Sequence, residues 1–344
     1  MSTSGLSQQI LILPFAGSNP ATPATFFGGQ VKKIILVSGT SNPKLSTKIS
    51  NILDVPLIDP QIVRFANGET FCEIEQNVRG ADVFVLQSTC TPVNDNLMEL
   101  LITIDALKRA SAKSIIAVVP HYGYSRQDRK SSPRTPITAK LVADLMTVAG
   151  ATRVMTMDLH AGQIQGFFDI PFDNIYASPV LSKYIKQNLI TENSIFVSPD
   201  AGGVDRVRHY AKKCKADIAM IDKRRTGKNV AKAMNVVGDV KDKDCIIVDD
   251  MIDTAGTLIE ACDALKGHGA KSVVAVATHP ILSGPAIDRI IDSDSLDRVV
   301  VTDTIPLCER AENCEKIEVA SVGEVLAQSI HRTFNNDSVS SLFE

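Results

Sequence analysis

Cys245-Ile246-Ile247-Val248-Asp249-Asp250-Met251-Ile252-Asp253-Thr254-Ala255-Gly256-Thr257-Leu258 is the stretch that decides the fold. An apolar run rich in β-branched residues, Cys245 to Val248, reads as a buried strand, and the pattern from Thr257 to Lys266 reads as a helix. Between them lie two adjacent acids and a tight turn of small and hydroxylated residues. The N–H groups that open a helix have no intrahelical partner, and the helix dipole favours an anion there, so this turn suits a phosphate. The Thr254 and Thr257 hydroxyls would add donors, while Asp249 and Asp250 suit the vicinal hydroxyls of a sugar carrying that phosphate. An ordinary strand-to-helix turn with Thr257 as N-cap is the competing reading. The strand before the turn and the helix after it favour the phosphate site.

Working outward, short runs rich in Val and Ile alternate with helical periods from Lys33 onward, which predicts an α/β protein with mainly parallel sheets flanked by helices. Candidate strands are 34–37, 83–87, 115–119, 154–157, 195–198, 218–221, 245–248, 273–277 and 299–302. These are too many for one small sheet, so two similar domains are expected, with a boundary near Ile175 to Pro179, after the loop Asp169 to Asn174. Apolar faces predict helices around Leu97 to Leu107 and around Leu141, Val142, Leu145 and Val148, with further helices at 179–188, 204–214, 257–266 and 322–333. Residues 1–30 contain no charged side chain and read as a flexible leader; 31–176 and 177–344 are then the two domains, the last residues packing back on the first.

The chain has 344 residues, enough for two cores, and its formal charge of -3 gives no global attraction to nucleic acid or to an anionic membrane. No apolar run has the length of a bilayer span. Seven scattered cysteines without zinc-type spacing read as reduced thiols of a cytoplasmic protein. Phosphate chemistry must therefore come from local basic clusters. One is Arg126, Arg129, Lys130 and Arg134, beside the end of a strand, which can bind a triphosphate or be a solvated loop. Another is Lys223, Arg224 and Arg225, opening the polar stretch 226–240, which reads as a lid able to neutralise charge on a transferring phosphoryl group.

The loop 249–257 resembles the phosphoribosyl pyrophosphate loop shared by type I phosphoribosyltransferases and ribose-phosphate pyrophosphokinases. Five further stretches, Arg64-Phe65-Ala66-Asn67-Gly68-Glu69, Tyr124 to Lys130, Asp158 to Phe168, Val197 to Gly203 and Asp222 to Arg225, resemble signatures of class I ribose-phosphate pyrophosphokinases. The resemblance runs from about Lys33 to Glu344 and implies two type I phosphoribosyltransferase-like domains. It implies that Phe65, Asn67, Gly68, Glu69, Arg126 and Gln127 bind ATP. Many relatives carry Asp at the position of Asn67, whose amide oxygen can still accept from the adenine amine. It implies further that His160 and Asp200 serve Mg2+, that Asp249, Asp250, Asp253, Thr254, Ala255, Gly256 and Thr257 bind ribose 5-phosphate with Arg225, and that Lys223 and Arg225 are the catalytic pair. A homohexamer, whose adenine-reading loop comes from a neighbouring subunit, is the implied assembly.

Two rivals remain. A phosphoribosyltransferase would own the loop 249–257 without needing the first domain. A non-catalytic associated protein of the same family would carry an insertion in the lid, whereas 223–240 is compact here.

Overall fold

The computed structural model describes residues 33–224 and 233–343, with the backbone alone at 223, 224, 233 and 234. Its strands, in chain order, are β1 (Ile34–Ser38), β2 (Leu57–Ile58), β3 (Gln61–Arg64), β4 (Thr70–Glu73), β5 (Asp82–Leu86), β6 (Ser114–Val119), β7 (Arg153–Met157), β8 (Phe172–Ile175), β9 (Ser194–Ser198), β10 (Asp217–Arg224), β11 (Ala233–Val237), β12 (Asp244–Ile252), β13 (Ser272–Pro280), β14 (Arg298–Thr302) and β15 (Ile317–Ala320). The helices are α1 (Pro43–Leu53), α2 (Val93–Arg109), α3 (Thr138–Ala149), α4 (Ser178–Asn188), α5 (Val204–Cys214), α6 (Gly256–Gly267), α7 (Ala286–Asp292), α8 (Glu309–Glu312) and α9 (Gly323–Asn335).

Eight of the nine apolar runs form strands buried on both faces, as parallel sheets require, while the ninth, in β10, buries Ala219 and Ile221 and leaves Ile218 exposed. They fall into two sheets, β2-β1-β5-β6-β7-β8 and β11-β10-β9-β12-β13-β14-β15, in which all neighbours are parallel except β10 and β11. Leaving out the outer β11, each sheet runs second strand, first strand, then third to sixth, so the two halves repeat one topology. Each therefore has one point where chain direction across the sheet reverses, between β1 and β5 and between β9 and β12, and such a point opens a crevice for ligands.

The first crevice is filled. Gly39 lies so close to Gln87 that a Cβ there would meet Oε1 at 2.1 Å. The Thr40 backbone and hydroxyl donate to buried Glu99 at 2.7 and 2.6 Å, and Asn42 Nδ2 and Ser88 Oγ donate to the Asp303 and Thr304 carbonyls beyond β14 at 2.8 and 2.6 Å. The second crevice, bounded by the ends of β9 and β12, stays open.

One core joins the halves: Leu36 and Phe84 of the first sheet cluster with Phe196, Ile246 and Val276 of the second and with residues of α1, α4, α5 and α9. The C-terminal α9 packs on α1, close enough that a Cβ at Gly323 would lie 2.9 Å from Lys48 Cδ.

Three local expectations are corrected. Of the segment Asp169 to Asn174, read as loop before the domain boundary, Phe172 to Asn174 belong to edge strand β8, a short segment whose polar residues hide its period. Strand β12 continues past Val248 to Ile252, so Asp249 and Asp250 are strand residues held in register with β13. Helix α3 is rotated from its most apolar stripe: Ala139, Val142, Ala143 and Met146 are buried while Leu141, Leu145 and Val148 are exposed. The small alanines let the helix lie close on its own domain, which turns the bulkier stripe outward.

Candidate active site

At the end of β12 the chain turns through Ala255, which holds φ at 57, and enters α6 at Gly256. A left-handed alanine costs about 1 kcal/mol or more and persists only where surroundings impose it. Here Arg289 Nη1 holds the Thr254 carbonyl at 2.8 Å, and Asp253 is tied to the Ser283 hydroxyl. The turn is thus braced from behind, and the N-terminal amides of α6 face a cavity of about 650 Å³.

That cavity is lined by the whole turn from Asp249 to Thr257, by Pro199 to Gly203 at the end of β9, and by Arg126, Arg129 and His160 from the first domain. Asp200 follows β9, where its Oδ1 accepts from the Gly202 and Gly203 amides at 2.9 and 3.0 Å. Its other oxygen has no such tie to the loop. Arg126 reaches across the domain boundary to Asp253, Nη1 to Oδ2 at 2.6 Å. Of the expected site residues, eleven are accounted for in two groups: Asp249, Asp250, Asp253, Thr254, Ala255, Gly256 and Thr257, with Asp200, Arg126 and His160, share this cavity, while Gln127 lines its neighbour.

The neighbouring cavity, about 890 Å³, lies between Asn94, Tyr124 and Gln127 of the first domain and Leu282, Ser283 and Pro306 of the second. It meets the first at Arg126, Met251 and Asp253, which line both. Gln127 is held there, its Oε1 accepting from the Thr138 hydroxyl at 2.6 Å.

Phe65, Asn67, Gly68 and Glu69 are not brought in; within one chain they line neither cavity. They form the tip of the β3-β4 hairpin, closed by bonds from the Phe65 amide to the Glu69 carbonyl at 2.9 Å and from the Glu69 amide to Asn67 Oδ1 at 3.1 Å. Gly68 takes φ of 90, which the turn requires of glycine. Phe65 is half-exposed, its ring 6.0 Å from that of Phe71. Lys223 is placed by its backbone at the end of β10, opposite Met234. Arg225 lies outside the described residues.

The acid pair is electrostatically divided. Arg206 Nη1 lies 3.2 Å from Oδ1 of both Asp249 and Asp250, and Asp250 Oδ2 takes His160 Nδ1 at 2.7 Å. Burial alone would raise the Asp250 carboxyl, but its bond to His160 and the Arg206 charge outweigh that and hold it below the carboxylate range. Burial and the adjacent Asp250 charge push Asp249 up to about 7. His160 is raised by its bond to Asp250, against partial burial. Sequence reasoning missed Arg206, since an arginine in the first turn of an exposed-looking helix is indistinguishable from Arg208, which pairs with its helix neighbour Asp205.

Among the described residues no group of three His, Cys, Asp or Glu is placed to hold a metal. Mg2+ prefers oxygen and keeps several waters, so His160 and Asp200, which line the same cavity, fit an ion carried by a phosphate substrate, not a closed protein cage.

Residues 34–150 match the N-terminal domain of ribose phosphate pyrophosphokinase, and residues 224–344 match the phosphoribosyl synthetase-associated domain. A ribose-phosphate pyrophosphokinase of Campylobacter jejuni is 55% identical over 308 residues, covering 90% of this chain and 98% of the relative. One of Caldanaerobacter subterraneus is 54% identical over 308 residues, covering 90% and 97%. The crystal structure of phosphoribosylpyrophosphate synthetase from Mycobacterium smegmatis superposes with a TM-score of 0.84 at 43% identity, covering 89% of this chain and all of that one. Fold and cleft thus define a transferase built from two phosphoribosyltransferase-like domains. The chain belongs to the ribose-phosphate pyrophosphokinase family. It is an enzyme of diphosphate-group transfer in nucleotide biosynthesis, and its product is phosphoribosyl pyrophosphate.

Among the described residues no helix is long and apolar enough to cross a membrane.

Proposed function

We propose that the enzyme transfers the pyrophosphoryl group of Mg-ATP to the anomeric hydroxyl of ribose 5-phosphate, releasing AMP. The supporting observation is one cavity across the domain boundary, in which a braced helix N-terminus faces Arg126, Arg129 and His160 of the other domain. Residues 31–176 form the ATP-binding half and residues 177–344 the ribose 5-phosphate half.

In this reading the turn from Asp253 to Thr257 grips the 5-phosphate through α6 amides and hydroxyls, and Asp249 accepts from a ribose hydroxyl. Arg126 and Gln127, where the two cavities meet, take the nucleotide. The anomeric oxygen attacks the β-phosphorus, the bond from that phosphorus to the oxygen it shares with the α-phosphorus breaks, and the hydroxyl proton leaves to solvent. Catalysis is positioning and charge neutralisation. Lys223 and Arg225 neutralise charge on the departing AMP oxygens. His160 and Asp200 would hold Mg2+, which supplies further neutralisation of the phosphates when bound.

The hairpin residues Phe65, Asn67, Gly68 and Glu69 then serve the cavity of a neighbouring subunit in a homohexamer. The outward apolar stripe of α3 and the half-exposed Phe65 support an assembly. The enzyme works in the cytoplasm. Incubating the protein with ATP, Mg2+ and ribose 5-phosphate should yield AMP and phosphoribosyl pyrophosphate in equal amounts; product without AMP would overturn the pyrophosphoryl transfer.

A further inference from the structure

Asp250 sits beside Asp249 in sequence, yet the two carboxylates face different surroundings. The Asp249 side chain is 37% exposed to the cavity, and that of Asp250 only 5%. Both Asp250 oxygens are already engaged within the protein: Oδ2 by His160 Nδ1 at 2.7 Å, Oδ1 by Arg206 Nη1 at 3.2 Å. A sugar hydroxyl would have to displace one of two charge-assisted bonds from a nearly buried group, whereas Asp249 meets the cavity directly.

The groups that engage Asp250 come from opposite sides of the cleft. His160 follows β7 in the first domain, and its Nδ1 is committed to Asp250, which leaves Nε2 as the ring nitrogen available to a ligand. Arg206 lies in the first turn of α5, the helix that begins directly after the loop carrying Asp200. The end of β12 therefore fixes, through one carboxylate, both the histidine of one wall and the helix behind the aspartate of the other.

We infer that Asp250 is a positioning residue: together with Arg206 it orients His160 toward the phosphate-borne cation, and it does not bind the sugar. The inference rests on the proposed reading of this cleft as the site of Mg-ATP and ribose 5-phosphate. A carboxylate that accepts from the far ring nitrogen of a cation-binding histidine fixes its tautomer and tilt, and its loss costs about 10–100-fold in metal affinity.

The test uses the full chain and two direct binding measurements: Mn2+ affinity in the presence of a non-hydrolysable ATP analogue, by electron paramagnetic resonance, and ribose 5-phosphate affinity, by calorimetry. Asp250→Asn should weaken Mn2+ binding at least tenfold while ribose 5-phosphate affinity stays within about twofold. Asp249→Asn should do the reverse. Arg206→Lys, which keeps the charge but not the guanidinium reach to both acids, should move Mn2+ affinity in the same direction by a smaller factor, and it serves if Asp250→Asn does not fold. Loss of sugar affinity with unchanged Mn2+ binding in Asp250→Asn, or no change in either, would overturn the inference. A wild-type protein that binds neither ligand would overturn the proposed function itself, and the inference with it.

Discussion

Arg126 and Asp253, from different domains, are joined at 2.6 Å, so a first-domain arginine facing both cavities is tied to the head of the turn that opens α6. The arginine is more than half exposed, and an ion pair in such a setting contributes little to folding. Arg126→Ala should leave unfolding free energy within about 0.5 kcal/mol of wild type. It should weaken ATP at least about tenfold, the loss expected for one charge-assisted bond to phosphate. Urea denaturation and calorimetry check the two numbers; an equal loss of stability would make the pair structural.

The raised Asp249 carboxyl sets a pH dependence of the free enzyme. Its folded value, about 7, lies above the ordinary 3.8, so the folded state holds the proton more tightly than the unfolded chain. The stabilisation is present at low pH and is lost as pH rises from about 4 through 7. Asp249→Asn has no proton to lose, so it should gain on wild type by about 1 kcal/mol between pH 5 and pH 8, a figure discounted for partial exposure. Urea denaturation of both proteins without substrates reads the difference, and parallel pH curves would refute the assignment.

Asp158 lies between the domains, its Oδ2 accepting from the Thr278 hydroxyl at 2.6 Å and the Ala177 amide at 3.2 Å. His279 beside it donates toward the Met157 carbonyl at 3.0 Å, and burial lowers its ring. Thr278→Val keeps the shape but removes the stronger partner of a buried carboxyl. It should cost about 1–3 kcal/mol, measured by chemical denaturation.

Lys223→Ala should lower turnover by orders of magnitude while ATP binding changes little. Loss of binding with intact turnover would remove Lys223 from the catalytic pair.

Leu145, on the outward stripe of α3, offers a check on assembly. Leu145→Glu should shift the sedimentation coefficient toward smaller species at unchanged helix content, and an unaltered coefficient would place the subunit contact elsewhere.

How far the sequence could be read depended on how local each signal is. Cys245 to Leu258 carries strand, turn and helix within one contiguous stretch, and the central strands are continuous apolar runs, so both were legible. The β3-β4 hairpin and β8 were not, because short strands at an edge bury one face or neither and leave no period. The outward face of α3 was misread since an apolar stripe does not say what it packs against. Arg206 and the buried side of Asp250 depend on contacts 43 to 90 residues apart, which no local pattern encodes.

The repeated topology has an asymmetric outcome. The second half keeps its crevice open, while in the first half the corresponding place behaves as a receptor whose resident ligand is the second half itself, bound through Asn42 and Ser88 to the carbonyls of Asp303 and Thr304. A compound that competed there would act as a wedge between the halves, pulling Arg126 and His160 away from the turn that opens α6.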